Sequence, residues 1–250
     1  MAKNGAGRLV IFHGIAEQGQ DWENNVLATV AGFLRVHPTE TVLMRVKDEN
    51  GATPGFAAAV EAGLDKYTQN VYKGASNDPT MKDIRGRIVV LQDFTAPTRV
   101  GIPWNSLNIQ DNFNLGNNWD LANKWHAVRQ QLDNAGSGPR TTTYVNFLSG
   151  SGGSFPYFVA SGHSSPGTSA PQLLTGWTRG IINTCGLSDL CIPEYPDVNC
   201  FLGTCSVAFI GTNLMTMNTI NSRSMPRRYG IVYADFPGAG LVSAVIAANF

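Results

Sequence analysis

The chain reads as an α/β protein built on a mostly parallel sheet, and three observations carry that reading. Six short runs of bulky apolar and β-branched residues alternate with longer segments whose apolar residues recur at helical spacing. No internal repeat or coiled-coil pattern interrupts the alternation. At 250 residues, with 43% apolar and 14% charged side chains, the chain is long enough for one large core, so a single domain over 1–250 is expected. An eight-stranded (β/α)8 barrel needs more strands than six. Since the six run without a gap to a closing helix, the missing one or two are expected ahead of Met1.

The elements follow in order. Arg8 to Gly14 reads Arg-Leu-Val-Ile-Phe-His-Gly, a strand ending in His13, and side chains at the C-terminal ends of such strands point to where α/β proteins build their sites. From Asp21 to His37 a helix is expected, with Trp22, Val26, Val30, Phe33 and Leu34 on one face, Asp21 as cap and Pro38 as stop. Thr41–Val46 is a second strand running into Lys47-Asp48-Glu49. Phe56–Tyr72 is helical in pattern, and Arg87–Leu91 is a third strand. Leu107–Gln110 is a fourth, leading to Asp111-Asn112-Phe113. Trp119–Leu132 places Leu121, Trp125, Val128 and Leu132 on one helical face, and Thr142–Leu148 is the fifth strand.

The run Ser149-Gly150-Ser151-Gly152-Gly153-Ser154 invites a phosphate-cradle reading. It lacks the Gly-Lys-Ser/Thr ending of a nucleotide loop and is followed by Pro156, so a rim loop is expected instead. Residues 164–206 read as an irregular insertion. Asn213–Ser222 is a helix, Tyr229–Ala234 is the sixth strand ending in Asp235, and Gly240–Phe250 closes the chain as a helix.

Charge is balanced, with 18 basic and 18 acidic residues, so no global field draws the protein to nucleic acid. No apolar run approaches the roughly 18 residues of a membrane span, and the first residues carry no apolar signal core. The cysteines point elsewhere. Cys185, Cys191, Cys200 and Cys205 fall within one short segment without histidine, at spacings unlike paired zinc knuckles, which favours disulfides and an oxidising compartment. Their connectivity stays open among three pairings.

Taken together, His13-Gly14, the segment 44–49, the segment 84–91, Ile109-Gln110-Asp111-Asn112-Phe113 and Tyr144-Val145-Asn146-Phe147 with its Ser-Gly run resemble the bacterial-type, X-domain-like phosphatidylinositol-specific phospholipase C family. The resemblance implies a distorted TIM barrel and a phosphodiesterase. In that chemistry the inositol 2-hydroxyl attacks phosphorus, diacylglycerol leaves, and a cyclic inositol phosphate forms. Such a step needs a base, an acid and a cation. The resemblance makes His13 the general acid and Asp235 the carboxylate that orients the base histidine. Lys47, Arg85 and Asp111 become ligands of inositol hydroxyls, and Phe113 stands where the family stacks a tyrosine on the ring. It further implies an arginine in place of a metal, no cofactor, a lipid membrane surface as partner, a monomer and secretion.

Two family groups have no counterpart at matching positions: the base histidine and the phosphate arginine, both of which would fall at or before Met1. Arg8 lies five positions before His13 and leaves the opposite face of the strand. His37, His126 and His163 fall at a helix end, within a helix and after the Ser-Gly run. Little phospholipase activity is therefore expected of the chain as it stands. The alternative is a non-catalytic relative that binds inositol lipid or a sugar.

Overall fold

A strand buried on both faces has no polar side to show, and the unbroken apolar run Ile88 to Leu91 meets that demand, with all four residues buried. The computed structural model describes residues 1–163, 172–174, 197–201, 204–223, 225 and 227–250. They divide into two units, Met1–Leu107 and Asn108–Phe250, each with its own apolar core.

The first unit opens with β1 (Ala2–Lys3), β2 (Leu9–His13) and β3 (Ala16–Asp21), a three-stranded antiparallel sheet with β2 in the middle. The sequence reads the segment after His13 as a connection to a helix, and the structure corrects this. The chain turns back at Gly14, whose φ of +60° is a left-handed conformation that glycine adopts without a Cβ penalty. The returning strand, Ala-Glu-Gln-Gly-Gln-Asp, is polar and exposed along most of its length, so its composition hides it from a search for apolar runs. The expected cap then appears. The Asp21 carboxylate accepts from the Asn24 N–H, and a π-helical turn, Trp22–Leu27, leads into α1 (Ala28–Val36), which stops before Pro38.

The rest of this unit comprises β4 (Val42–Lys47), α2 (Phe56–Asp65), α3 (Met81–Ile84), β5 (Ile88–Asp93) and β6 (Ile102–Pro103), with β4, β5 and β6 parallel in that order. Register sets Lys47 beside Asp93 at the C-terminal edge. Helix α2 packs closely against the Trp22–Leu27 turn. The Trp22 indole N–H donates to the Val60 carbonyl at 3.3 Å, and a Cβ on Gly63 would stand 2.6 Å from that nitrogen.

The second unit contains β7 (Asn108–Gln110), β8 (Asn114–Leu115), α4 (Leu121–Ser137), β9 (Tyr144–Phe147), β10 (Ser151–Gly152), α5 (Pro156–Ser161), β11 (Gln172–Leu174), β12 (Asp197–Phe201), β13 (Thr204–Ala208), α6 (Thr212–Asn221), β14 (Ile231–Tyr233) and α7 (Ala239–Ala247). Its central sheet runs β14, β9, β7, all parallel, as the sequence predicts for these three strands. The Ser-Gly run is tied down: β10 pairs parallel with β8, and a Cβ on Gly153 would come within 2.1 Å of the Gly116 backbone, so only glycine permits the approach. Part of the segment read as irregular is an antiparallel sheet of β11, β13 and β12. There Cys200 stands opposite Cys205 in register, whereas Cys185 and Cys191 lie outside the described residues. Among the described residues, no helix is long and apolar enough to cross a membrane.

Thr212 shows how polar groups are satisfied in this core. Its hydroxyl is fully buried and lies 3.1 Å from both the Leu148 and Val159 carbonyls. Thr212→Val removes that donor and leaves both carbonyls without it. The expected loss is about 1–3 kcal/mol, seen as a lower urea midpoint at unchanged m-value.

Candidate functional site

In the first unit, the C-terminal edge of β4, β5 and β6 borders a cavity of about 570 Å³ lined by Lys47, Asp48, Gln92, Asp93, Trp104 and Asn105, among others. Arg45 crosses this edge. Its Nε and Nη2 donate to Asp93 Oδ2 at 2.9 and 2.7 Å, and its guanidinium lies 4.2 Å from the Trp104 ring centroid. Lys47 Nζ donates to Glu49 Oε2 at 3.0 Å. Burial disfavours charge on Asp48, but hydrogen bonds from Thr53 and Asn50 outweigh it and hold the carboxyl below its ordinary range.

Arg85 is not brought to this edge. It is the exposed C-cap of α3 and precedes β5, while Lys47 pairs with the last residue of β5. Roughly 20 Å of strand, at about 3.3 Å per residue, separates the two ends. His13 is exposed at the end of the β2–β3 hairpin, and its ring makes no hydrogen bond or ion pair among the described residues.

The second unit brings two of the expected residues into one electrostatic neighbourhood. Asp111 follows β7 directly, and Asp235 lies just beyond the end of β14, so both stand at the C-terminal edge of the same parallel sheet. Neither carboxylate makes a hydrogen bond or an ion pair within contact distance among the described residues, but both act on Lys124. Phe113 is 53% exposed, in the loop after Asp111. Asp235 is followed by Phe236, the one described non-glycine residue with positive φ, at +48°. A bulky residue is strained there, and Asn213 holds the turn by donating from Nδ2 to the Asp235 and Phe236 carbonyls at 2.8 and 3.2 Å.

Lys124 is a residue that the reading of the sequence passes over. It lies on α4, is 0% exposed, and donates from Nζ to the Phe147 carbonyl at 2.7 Å. Around it runs a polar layer between helix and sheet. Gln110 Nε2 donates to Asn146 Oδ1 and the Phe147 carbonyl at 2.7 and 2.9 Å, and Asn146 Nδ2 donates to the Val128 carbonyl at 2.9 Å. Gln131 Nε2 reaches the Asn108 and Val145 carbonyls at 2.8 and 3.1 Å. The signal was readable: Lys124 is three residues after Leu121 and four before Val128, squarely on the expected apolar face. Burial pushes the ammonium from 10.5 down to about 8, while Asp111 and Asp235 pull the other way. Among the described residues, no group of three or more His, Cys, Asp or Glu side chains is placed to hold a metal ion.

The second unit thus sets two carboxylates that have no hydrogen bond or ion pair among the described residues, together with exposed aromatics, at the C-terminal edge of a parallel sheet, an arrangement suited to holding a small polar group. No family model matches the chain. The 1-phosphatidylinositol phosphodiesterase of Listeria monocytogenes serovar 1/2a (strain ATCC BAA-679 / EGD-e) is 33% identical over 36% of this chain and 33% of its own length, so the chain matches only about a third of that relative. The solved phosphatidylinositol-specific phospholipase C from Listeria monocytogenes superposes with a TM-score of 0.61 at 20% identity, covering 97% of this chain and 75% of that one. The Staphylococcus aureus phosphatidylinositol-specific phospholipase C gives 0.61 at 20% identity, covering 100% and 76%. These neighbours have a TIM-like barrel. In local sequence the chain is similar to a 1-phosphatidylinositol phosphodiesterase, and in fold to solved phosphatidylinositol-specific phospholipases C.

The depressed Lys124 value has a stability consequence. Below about pH 8 the lysine is charged in both folded and unfolded chains, and folding bears the cost of burying the charge. Between about 8 and 10.5 the unfolded chain binds more protons, so stability rises with pH. Over that window the unfolding free energy of the wild type should rise, relative to Lys124→Met, by on the order of 3 kcal/mol. Chemical denaturation at a series of pH values measures it, and parallel curves for the two proteins would contradict the assignment.

Proposed function

We propose that this chain is a phosphodiesterase-type protein of phosphatidylinositol lipids, secreted, acting as a monomer at a membrane surface, and turning its substrate over slowly on its own. The observation that carries this is the joint likeness to phosphatidylinositol-specific phospholipase C: local identity to one relative and fold similarity over 97–100% of the chain. Because the superposition spans both units, one catalytic domain of the distorted (β/α)8 type is the reading it supports, with 164–206 as an insertion.

In the proposed chemistry the inositol 2-hydroxyl oxygen bonds to phosphorus as the bond to the diacylglycerol oxygen breaks. The hydroxyl proton goes to a base, and the leaving oxygen takes a proton from the acid. His13 is assigned as that acid. Lys47 and Asp111 are assigned to inositol hydroxyls, Phe113 to the apolar face of the ring, and Asp235 to orienting the base. That Asp111 makes no hydrogen bond or ion pair among the described residues supports its assignment, because a carboxylate oxygen accepts from hydroxyl donors. Arg85 retains its assignment by resemblance alone, since it stands at the far end of its strand from Lys47. The residues assigned here include neither a base nor a phosphate cation, and proton transfer alone is typically worth about 10²- to 10⁴-fold.

A lipid surface as partner is supported by the rim of the second unit. Phe113, Phe155 and Phe236 are 53%, 64% and 59% exposed in the loops that follow β7, β9 and β14. Large aromatic side chains left in water at the edge of a site favour an interface that takes them up. A second reading, binding without cleavage, is favoured by the exposed His13 ring, which no described side chain orients.

Purified chain should sediment with vesicles containing phosphatidylinositol, and Phe155→Ser with Phe236→Ser should lower bound protein by roughly tenfold. Released cyclic inositol phosphate should fall about 10²-fold or more below a phospholipase carrying base and cation. Failure to bind such vesicles would remove the lipid reading, and turnover typical of the family would remove the impairment.

A further inference from the structure

Lysine is almost never fully buried unless it is paired, and Lys124 is fully buried with, among the described residues, one hydrogen bond for three N–H donors, to the Phe147 carbonyl at 2.7 Å. A structural tie to one carbonyl does not require a charge. Gln131, on the same helix, makes comparable ties to the Asn108 and Val145 carbonyls with a neutral amide. What distinguishes position 124 is its surroundings. The Phe147 carbonyl ends β9, between β7, which leads into Asp111, and β14, which leads towards Asp235. Both carboxylates act on the ammonium from beyond ion-pair contact, and neither makes a hydrogen bond or ion pair among the described residues.

We infer that Lys124 is a positioning residue of this site: its buried ammonium is the internal counter-charge that keeps the Asp111 and Asp235 carboxylates drawn in for a ligand rich in hydroxyls. The cluster carries two negative charges and one positive. A neutral polyol that donates hydrogen bonds fits it, because the carboxylates accept while the lysine offsets their mutual repulsion. Loss of the lysine proton leaves two uncompensated carboxylates on one sheet edge, which drives them apart and weakens the grip on such a ligand. The other titratable groups on the packed elements are Tyr144 on β9, Tyr233 on β14, and Asp120, His126, Arg129 and Asp133 at and on α4, with Asp133 paired to Arg223. Asp120 accepts from the Gly116 N–H, and His126 is exposed. Polyol binding therefore weakens as pH rises through the lysine's range near 8. This inference deepens the inositol reading of Asp111 and rests on it for the choice of ligand.

Two measurements on the full chain test it separately. With 13Cε-labelled lysine, the Lys124 resonance should titrate near pH 8 in the wild type. It should titrate about one pH unit lower once Asp111→Asn and Asp235→Asn are combined. An unchanged midpoint in the double variant would overturn the coupling, and no ligand is involved. Calorimetric titration of myo-inositol should show wild-type affinity falling about tenfold between pH 7 and 10. Lys124→Gln keeps a donor for the Phe147 carbonyl but carries no charge, so it should bind at the weakened level with a flat pH profile. Wild-type affinity and pH profile in Lys124→Gln would show a purely structural tie and overturn the inference. If the wild type takes no myo-inositol at any pH, the inositol reading fails, while the resonance comparison still decides whether Lys124 is coupled to the two aspartates.

Discussion

One ammonium group out of water organises the second half of this protein. Moving a charged lysine into a packed interior costs several kcal/mol unless opposite charge and hydrogen bonds answer it. The Phe147 carbonyl supplies the hydrogen bond, and the aspartates beyond β7 and β14 supply part of the charge. Helix α4 must therefore lie where Lys124 reaches the end of β9, and Asn146 and Gln131 fix the same placement further along the helix. Lys124, the Val128 carbonyl and Gln131 fall along one stripe of α4, so helix and sheet are joined by a line of polar ties inside an otherwise apolar contact.

Much of this was legible in the amino-acid order, for identifiable reasons. The apolar runs at 42–47, 88–93, 108–110, 144–147 and 231–233 form strands because bulky apolar and β-branched side chains suit a sheet with covered faces. Asp21 and Pro38 bound their helix through a capping bond and a backbone restriction, both local effects. What was not legible depends on partners distant in sequence. Strand β3 has no apolar pattern and exists because β2 pairs with it, and β10 exists because Gly153 can lie against Gly116. In the site, Asp111 and Asp235 were found by their places after strands. Lys124 was passed over because a single lysine on an apolar stripe reads as an interruption until its partners are known. Arg85 shows the converse, since a motif supplied the residue and strand register put it at the other end.

The first unit solves a related problem differently. Arg45 and Asp93 stand two positions out of register on adjacent parallel strands near a cavity, where solvent reaches both and a pair gains little from charge alone. The planar guanidinium makes the arrangement specific, because it can grip a carboxylate oxygen with two N–H groups while lying over an indole. Lysine could not do both.

The pairing of β8 with β10 alters how the aromatic rim can behave. Two loops that leave different strands are bonded to each other, with the Ser151 N–H on the Phe113 carbonyl and the Gly153 N–H on the Leu115 carbonyl. Phe113 and the segment leading to Phe155 are thus carried on one stiff plate rather than on two independent tethers. A surface that meets this rim encounters side chains free to change rotamer on a backbone that resists bending, so any fit has to come from ring rotation and from local yielding of the surface itself.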